Sequence, residues 1–568
     1  MSSSDRGPVT GAAVLRAAIV EQRRDVVVSS LLAAGQQAGS ALVPVLIGVI
    51  VDVAVTSGSP SLLILWIGVL AANFVVLSYS YRFSVRAAER AAEHAEHDLR
   101  LRLTHRVLHP GGGAGGGRLS GELVNISTSD AKRVGTANVV VPFGVAAIIA
   151  VLVSAVVLLT ISVPLGLLVL LGTPPLLLLT HYASKPLERR SEAEQERAAH
   201  ASGVAADLVA GLRVLKGLGA ERTAVQRYRH TSQQSLVATL RTARAYAAQG
   251  GVVETSSGVF IAIVALVGGL LAADGAISVG QLVSTVGLAL FLQIPLSTTG
   301  WTTIEFAQAR ASAARIAAVL SAPPAVPAGA GVAPEPVRGA LRLRGVTQGL
   351  LHDVDLDVAP GELLGVVSPS PAIARALLAC LAREVDPEQG TVELDDVPLA
   401  ALDPAAVRAA VLVATHDAVL FAGTLLENVT AAGAEGAADI TAALVAAAAD
   451  EVADSLPDGV DSTIGEQGSS LSGGQRQRVA LARALAAGRP VLVLHDPTTA
   501  VDSVTESRIA GALRRIRHGR TTVVVTTSPA LLAVTDRVVL LDGDGVRCEG
   551  RHADLVESHA DYRETVLT

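Results

Sequence analysis

Leu471-Ser472-Gly473-Gly474-Gln475-Arg476-Gln477-Arg478 runs directly into Val479-Ala-Leu-Ala-Arg-Ala-Leu485, a helical pattern opened by a serine and two glycines. Serine is a favoured helix N-cap. Glycines let a ligand approach the backbone closely. The unpaired N–H groups of a helix start, with the positive end of its dipole, attract anions and phosphate above all. Thr463-Ile-Gly-Glu-Gln-Gly468 precedes this stretch. Behind it come an apolar strand, Val491 to Leu494, and then Pro497-Thr-Thr-Ala-Val-Asp502. A lone Ser-Gly-Gly is common in loops. The order of these segments carries the information.

That order resembles the ATP-binding cassette (ABC) transporters of exporter fold (type IV). Leu471 to Gln475 is similar to the family's signature motif, and Pro497 to Asp502 to its D-loop. The resemblance implies a multidomain membrane protein: a six-helix all-α transmembrane domain followed by an α/β P-loop-type nucleotide-binding domain. It also implies that two nucleotide-binding domains meet head to tail, with ATP between the phosphate loop of one and the signature of the other. Leu471, Ser472, Gly473, Gly474 and Gln475, with Asp502 of the D-loop, are then expected to face a nucleotide held by a partner.

Composition agrees with a membrane protein carrying a soluble part. Of 568 residues, 50% are hydrophobic and only 17% charged, too apolar for an ordinary soluble chain. A net charge of −7 gives no general affinity for nucleic acid. Cys380 and Cys548 read as small buried residues, not as a disulfide framework. Apolar segments near 25–55, 61–83, 137–162, 164–183, 247–273 and 278–304 are near or above the roughly 20 residues that cross a bilayer as helix. The polar start, with Arg6, Arg16, Arg23 and Arg24, precedes an apolar run too long for a signal-peptide core, so that run reads as the first span. The joints Thr56 to Pro60, Ser162 to Pro164 and Ala272 to Ser278 lack Lys and Arg, whereas Arg82 to Arg133 and Lys185 to Arg244 are rich in these cations, arginine above all. The positive-inside rule therefore places both termini and the long joints in the cytoplasm, which suits a cytoplasmic C-terminal domain; the Ala/Val/Arg-rich, Lys-poor composition points to a bacterial plasma membrane.

The expected domains are 1–320 for the membrane part, 321–338 for a linker and 339–568 for the nucleotide-binding domain. Gly121 to Asp130 resembles the family's first coupling region, and Leu208 to Arg222 the segment just after its second. The Gly111-Gly-Gly-Ala-Gly-Gly-Gly117 run and the Pro-rich Ala322 to Pro336 read by composition as a flexible loop and a linker. Asp52 and Glu254 are expected to face the bundle interior or an interface, with the outer membrane surface an equal alternative for Asp52. Pro295 is expected to kink the sixth span.

The phosphate loop is where the resemblance fails. Its family form is Gly-x-x-Gly-x-Gly-Lys-Ser/Thr, in which backbone N–H groups wrap phosphates, Lys bridges them and the hydroxyl binds Mg²⁺. Counted from Gly365, the eight residues are Gly-Val-Val-Ser368-Pro-Ser370-Pro371-Ala372. Pro371 then stands for Lys and Ala372 for the hydroxyl, and the prolines lack N–H donors. No Lys lies between Gly361 and Ala400. The other family positions agree: His495 stands for the Mg²⁺-associated Asp and Asp496 for the Glu that orients water. His416 replaces the sensing Gln, and Thr527 the switch His. No metal site is expected from the histidines.

The resemblance therefore implies a degenerate subunit of a heterodimeric transporter. ATP and Mg²⁺ are expected mainly on the partner, a second ABC half-transporter with an intact phosphate loop, and hydrolysis only in the pair. The weakly aromatic spans favour a hydrophobic or amphipathic cargo such as a small molecule, lipid or peptide, moved outward. An importer on the same fold and a membrane scaffold without chemistry stay open at this point.

Overall fold

In the computed structural model of the chain, residues 10–55, 58–115, 118, 120–332, 334–417, 419–433 and 436–567 are described. Arg6, Thr56 and Ser57 of the first short joint, and Gly116 and Gly117 of the glycine run lie outside them. The chain divides into two compact units: 1–104 with 118–321, and 105–117 with 322–568.

The first unit is all helix. Its long helices are Arg23–Val49 with a π-helical turn Ile50–Val55, Pro60–Val107, Ala131–Ile161, Val163–Ala210, Glu221–Ala273, and the pair Val279–Phe291 and Gln293–Leu320. Five described stretches are long and apolar enough to cross a membrane. The fourth expected span, 164–183, falls in Val163–Ala210, where the apolar stretch Val163–Leu176 is shorter than that length among the described residues. The expected kink at Pro295 is a break. Proline has no N–H for the Phe291 carbonyl, and one helix ends at Phe291 while the next starts at Gln293. Asp52 turns inward and caps a helix, accepting from Gly280 N at 2.8 Å and from the Ser278 hydroxyl. Glu254 is exposed in the single chain. The Gly121–Asp130 region forms a short helix, Ser120–Asn125, and a π-helical turn, Ile126–Asp130.

The second unit is α/β. Its strands are β1 (Leu341–Gln348), β2 (Leu351–Val358), β3 (Leu363–Val367), β4 (Gln389–Leu394), β5 (Val397–Pro398), β6 (Val411–Ala414), β7 (Gly423–Thr424), β8 (Thr463–Ile464), β9 (Val491–His495), β10 (Thr522–Val525), β11 (Arg537–Asp542) and β12 (Gly545–Gly550). A four-stranded sheet has the order β2-β1-β4-β5, and a six-stranded one β12-β11-β3-β10-β9-β6. In the larger sheet, β11, β3, β10, β9 and β6 run parallel, and β12 is antiparallel. A parallel sheet is covered on both faces, which is why β3, β9 and β10 are buried at every residue and, apart from Thr522 and His495 at strand ends, apolar. Ligands of such sheets bind beyond the carboxyl ends of the strands. Here that edge carries Ser368 after β3, His495 and Asp496 at and after β9, and Thr526 and Thr527 after β10.

Candidate functional site

Two places in the second unit bear on nucleotide chemistry, and their chemistries are opposite. The first is an open cleft of about 880 Å³ at the carboxyl edge of the sheet, lined by Ser368, Pro369, Pro371, Ala374, His495, Asp496, Thr526, Thr527, Asp542, Arg547, Asp561 and Glu564 among others.

The strand register corrects the placement of the phosphate loop. In a P-loop the first glycine follows the strand directly. Gly365 sits inside β3, paired with Val524 and Val538, and a Cβ there would lie 2.8 Å from Leu532. It is a packing residue of the sheet. The loop begins at Ser368, and counting from there moves the lysine position to Ala374 and the hydroxyl position to Arg375. Ser368 and Ser370 remain in the turn, whereas Pro371 and Ala372 open the helix that follows and lose the roles assigned to them. A helix, Pro371–Leu381, starts only three residues after the strand, with Pro371 in its first turn and no side-chain cap from Ser370. Proline at a helix start is well tolerated because its missing N–H has no intrahelical acceptor. An anion cradle needs that N–H.

The lining is acidic. Asp496, Asp542, Asp561 and Glu564 face the cleft, and Arg547 is the single Lys or Arg among its described lining residues. Arg547 is itself engaged by Asp542 and, at 3.2 Å, by Asp544. Opposite the β9 edge, His416 and His495 bring their Nδ1 atoms to 3.3 Å with rings nearly perpendicular. His495 Nε2 lies 3.6 Å from Asp496. Among the described residues no group of three or more His, Cys, Asp and Glu is arranged to hold a metal ion. Four carboxylates, two prolines and no lysine do not fit a magnesium triphosphate, whose charge needs donors and cations.

Burial pushes the His495 pKa down, with Asp496 opposing and His416 adding to it. The folded value is then below the unfolded one of about 6.5. Below that pH the unfolded chain binds the extra proton, so this stability is present above about pH 6.5 and is lost as pH falls through the folded value. His495→Gln is expected to flatten the fall of the denaturant midpoint between pH 7.5 and 5.5, measured by urea unfolding of the full chain. An unchanged slope refutes the assignment.

The second place is the helix Gly473–Ala486. Ser472 is its N-cap, and a reciprocal pair closes the box: Gln475 N donates to Ser472 Oγ at 3.3 Å, and Ser472 N to Gln475 Oε1 at 2.8 Å. Leu471 is buried beneath, while Ser472 and Gly473 are exposed. The N–H groups of Gly473 and Gly474 have no intrahelical acceptor. A Cβ on Gly474 would come within 2.6 Å of the Ala500 carbonyl, so this glycine lets the helix start touch the loop after β9. Gln477, one turn on, fastens that loop. Its amide donates to Asp496 O and Thr499 Oγ1, both at 2.9 Å, and accepts from Ala500 N at 2.8 Å. Asp502 caps the next helix, accepting from Val504 N and Thr505 N; these bonds hold its carboxyl below the usual carboxylate range. Sequence reasoning missed Gln477, because its tie to the D-loop depends on the tertiary approach of the two segments. It also missed Asp542, Arg547, Asp561 and Glu564, which reach the cleft from β11, β12 and the last helix. None of Leu471 to Gln475 lines the acidic cleft.

The family profile for the ABC transporter transmembrane region matches residues 26–296, and that for the ABC transporter matches 351–499. The lipid A-core flippase of Thiobacillus denitrificans is 30% identical over 409 residues, covering 70% of each chain. The chain belongs to the ABC transporter family. It is also similar to a multidrug efflux ATP-binding/permease protein of Mycobacterium tuberculosis, 33% identical over 78% of this chain and 38% of that one. This chain thus spans well under two thirds of that relative's length. A solved bacterial Atm1-family ABC exporter with ATP bound superposes with a TM-score of 0.79 at 23% identity, over 96% of this chain and 97% of that one. The fold of this ABC protein is therefore the exporter fold, a helical transmembrane part plus an α/β nucleotide-binding domain.

Proposed function

We propose that this chain is the non-hydrolytic subunit of a heterodimeric ABC exporter in a bacterial plasma membrane, with termini and nucleotide-binding domain on the cytoplasmic side. The observation that carries the reading is the contrast within one domain: an acidic, proline-lined cleft where a phosphate loop belongs, beside a fully capped signature helix with exposed N–H donors. ATP with Mg²⁺, bound on a partner's phosphate loop, supplies the phosphoryl-transfer chemistry. This chain contributes the Gly473 and Gly474 N–H groups, the Ser472 hydroxyl and the positive end of the signature helix, all preorganised against negative charge. Gln477 and Asp502 hold the D-loop beside them.

The cargo proposed is hydrophobic or amphipathic, a drug-like molecule or lipid, as the names of the multidrug and lipid A-core relatives suggest.

Purified alone, the chain is expected to show no Mg²⁺-dependent ATP hydrolysis above background, since a homodimer would pair two good signatures with two unfit clefts. Robust turnover lost on changing Ser472 overturns the heterodimer reading. Ala374→Lys with Arg375→Ser, placed in the corrected register, is expected not to create a working site. Pro369, Pro371, His495 and the four carboxylates remain. Tight Mg-ATP binding by that variant in a calorimetric titration would show the cleft to be less hostile than its chemistry implies.

A further inference from the structure

The glycine run, a flexible loop by composition, and the Pro-rich linker hold each other. The chain passes from the first unit to the second between Thr104 and His105, returns between 117 and 118, and passes over for the last time between Ser321 and Ala322. Just beyond the first crossing, Arg106 donates to Gly112 O at 2.8 Å and, with Nη2, to Ala322 O at 2.7 Å and Pro323 O at 3.4 Å. Those two carbonyls are the first beyond the last crossing. The Gly111 carbonyl accepts from both Ala325 N, at 2.8 Å, and Val326 N, at 3.2 Å. Gly113, at φ +84°, lies so close that a Cβ would sit 2.0 Å from Pro323 O. Ala114 and Val326 are both buried. Further along, Arg383, 1% exposed, donates to Pro327 O at 2.7 Å.

We propose that Arg106 and the Gly111–Gly113 turn are positioning residues that clasp the start of the linker, so that the crossings at 104–105 and 321–322 act as one joint. The physical reason is that a Pro-rich linker is a semi-rigid spacer, which swings about its attachment unless its first residues are anchored. A linker fixed by five hydrogen bonds at its first residues moves with the helix Pro60–Val107 that leads into the turn. The glycines are required by the close approach: at Gly113 any side chain meets backbone on the far side.

The test uses the full chain in detergent or lipid. A Cβ on Gly112 would lie 3.5 Å from that of Ala325, within disulfide reach, whereas a Cβ on Gly115 meets nothing within 4 Å. Gly112→Cys with Ala325→Cys is expected to lose two maleimide-reactive thiols on mild oxidation, with Cys380 and Cys548 as internal reference. Gly115→Cys with Ala325→Cys is expected to keep them. The Ala325 and Val326 amides are expected to exchange hydrogen roughly tenfold faster in Arg106→Ala and Gly113→Ala than in the native chain. In the complex with an ABC partner, an arm that rests on the proposed function, both variants are expected to lower kcat for ATP roughly tenfold with KM unchanged. Gly115→Ala is expected to do neither. The 112–325 disulfide is expected to restore turnover to Arg106→Ala, and a reductant to remove it again, which a merely damaged fold does not do. Absence of the cross-link, unprotected native amides, or unchanged kcat in both variants overturns the clasp. Should no complex hydrolyse ATP at all, the donated-signature reading falls, while cross-linking and exchange still decide the clasp.

Discussion

On the proposed donated-signature function, Ser472→Arg or Gly473→Asp in this chain is expected to abolish ATP turnover of the assembled pair, although every phosphate-loop residue of the partner is untouched. Gly473 is exposed at the first position of the signature helix, where its N–H has no intrahelical acceptor. A carboxylate there sets negative charge against negative charge in a closed interface of low effective dielectric. Arginine at 472 removes the cap that Gln475 N and Ser472 Oγ form and fills the approach to the helix start. Loss of an aligned donor group of this kind costs about 10²- to 10³-fold in kcat. Gly474→Ala is expected to act by a separate route, forcing the Ala500 carbonyl away and loosening the D-loop. Ser370→Ala is the control: its side chain caps nothing, so turnover is expected within twofold of native. The measurement is steady-state ATPase with assembly checked by gel filtration. Signature variants that assemble and still hydrolyse at native rates establish the scaffold reading instead.

Arg315→Ala is expected to be the most destabilising single change in the first unit. Asp130, only 1% exposed, ends the coupling region and is gripped by Arg315 Nε at 2.7 Å, Arg315 Nη2 at 2.5 Å and Ser312 Oγ at 2.9 Å. Removing the guanidinium strands a buried carboxylate with one hydroxyl partner. Breaking a buried pair in this way costs about 3–5 kcal/mol, and the lower end applies because Arg315 is itself half exposed and its site is open to water. Asp130→Asn keeps the Ser312 bond and leaves an arginine that solvent can reach, so about 1 kcal/mol is expected. Thermal unfolding of the full chain in detergent ranks the two. Equal losses refute the stranded-carboxylate account.

The signature region was legible in the sequence because its chemistry is local. A serine cap, two glycines and Gln475 three residues on form a capping box from nearest neighbours alone, and the structure builds it between those residues. The apolar run Val491 to Leu494 of β9 was legible for the same reason: a strand buried on both faces reads as a near-continuous apolar run. The register of the phosphate loop was not legible. Gly365 satisfies a glycine pattern on paper, yet parallel pairing of β3 with β10 and β11 carries the strand two residues past it. Only sheet pairing decides where a strand ends. The acidity of the cleft was equally hidden, because Asp496, Asp542 and the pair Asp561 and Glu564 come from three separate stretches that meet at one sheet edge. The glycine run and the Pro-rich linker show the same limit. Composition describes how a segment behaves when nothing holds it. Arg106, the Gly111 carbonyl and Arg383 hold these two, across more than two hundred residues of chain for the first pair. By itself the sequence determined which segments become helix, strand and cap, since those follow from periodicity and neighbours. Tertiary structure alone decided which distant polar groups meet, and those meetings set the charge of the cleft and the order of the linker.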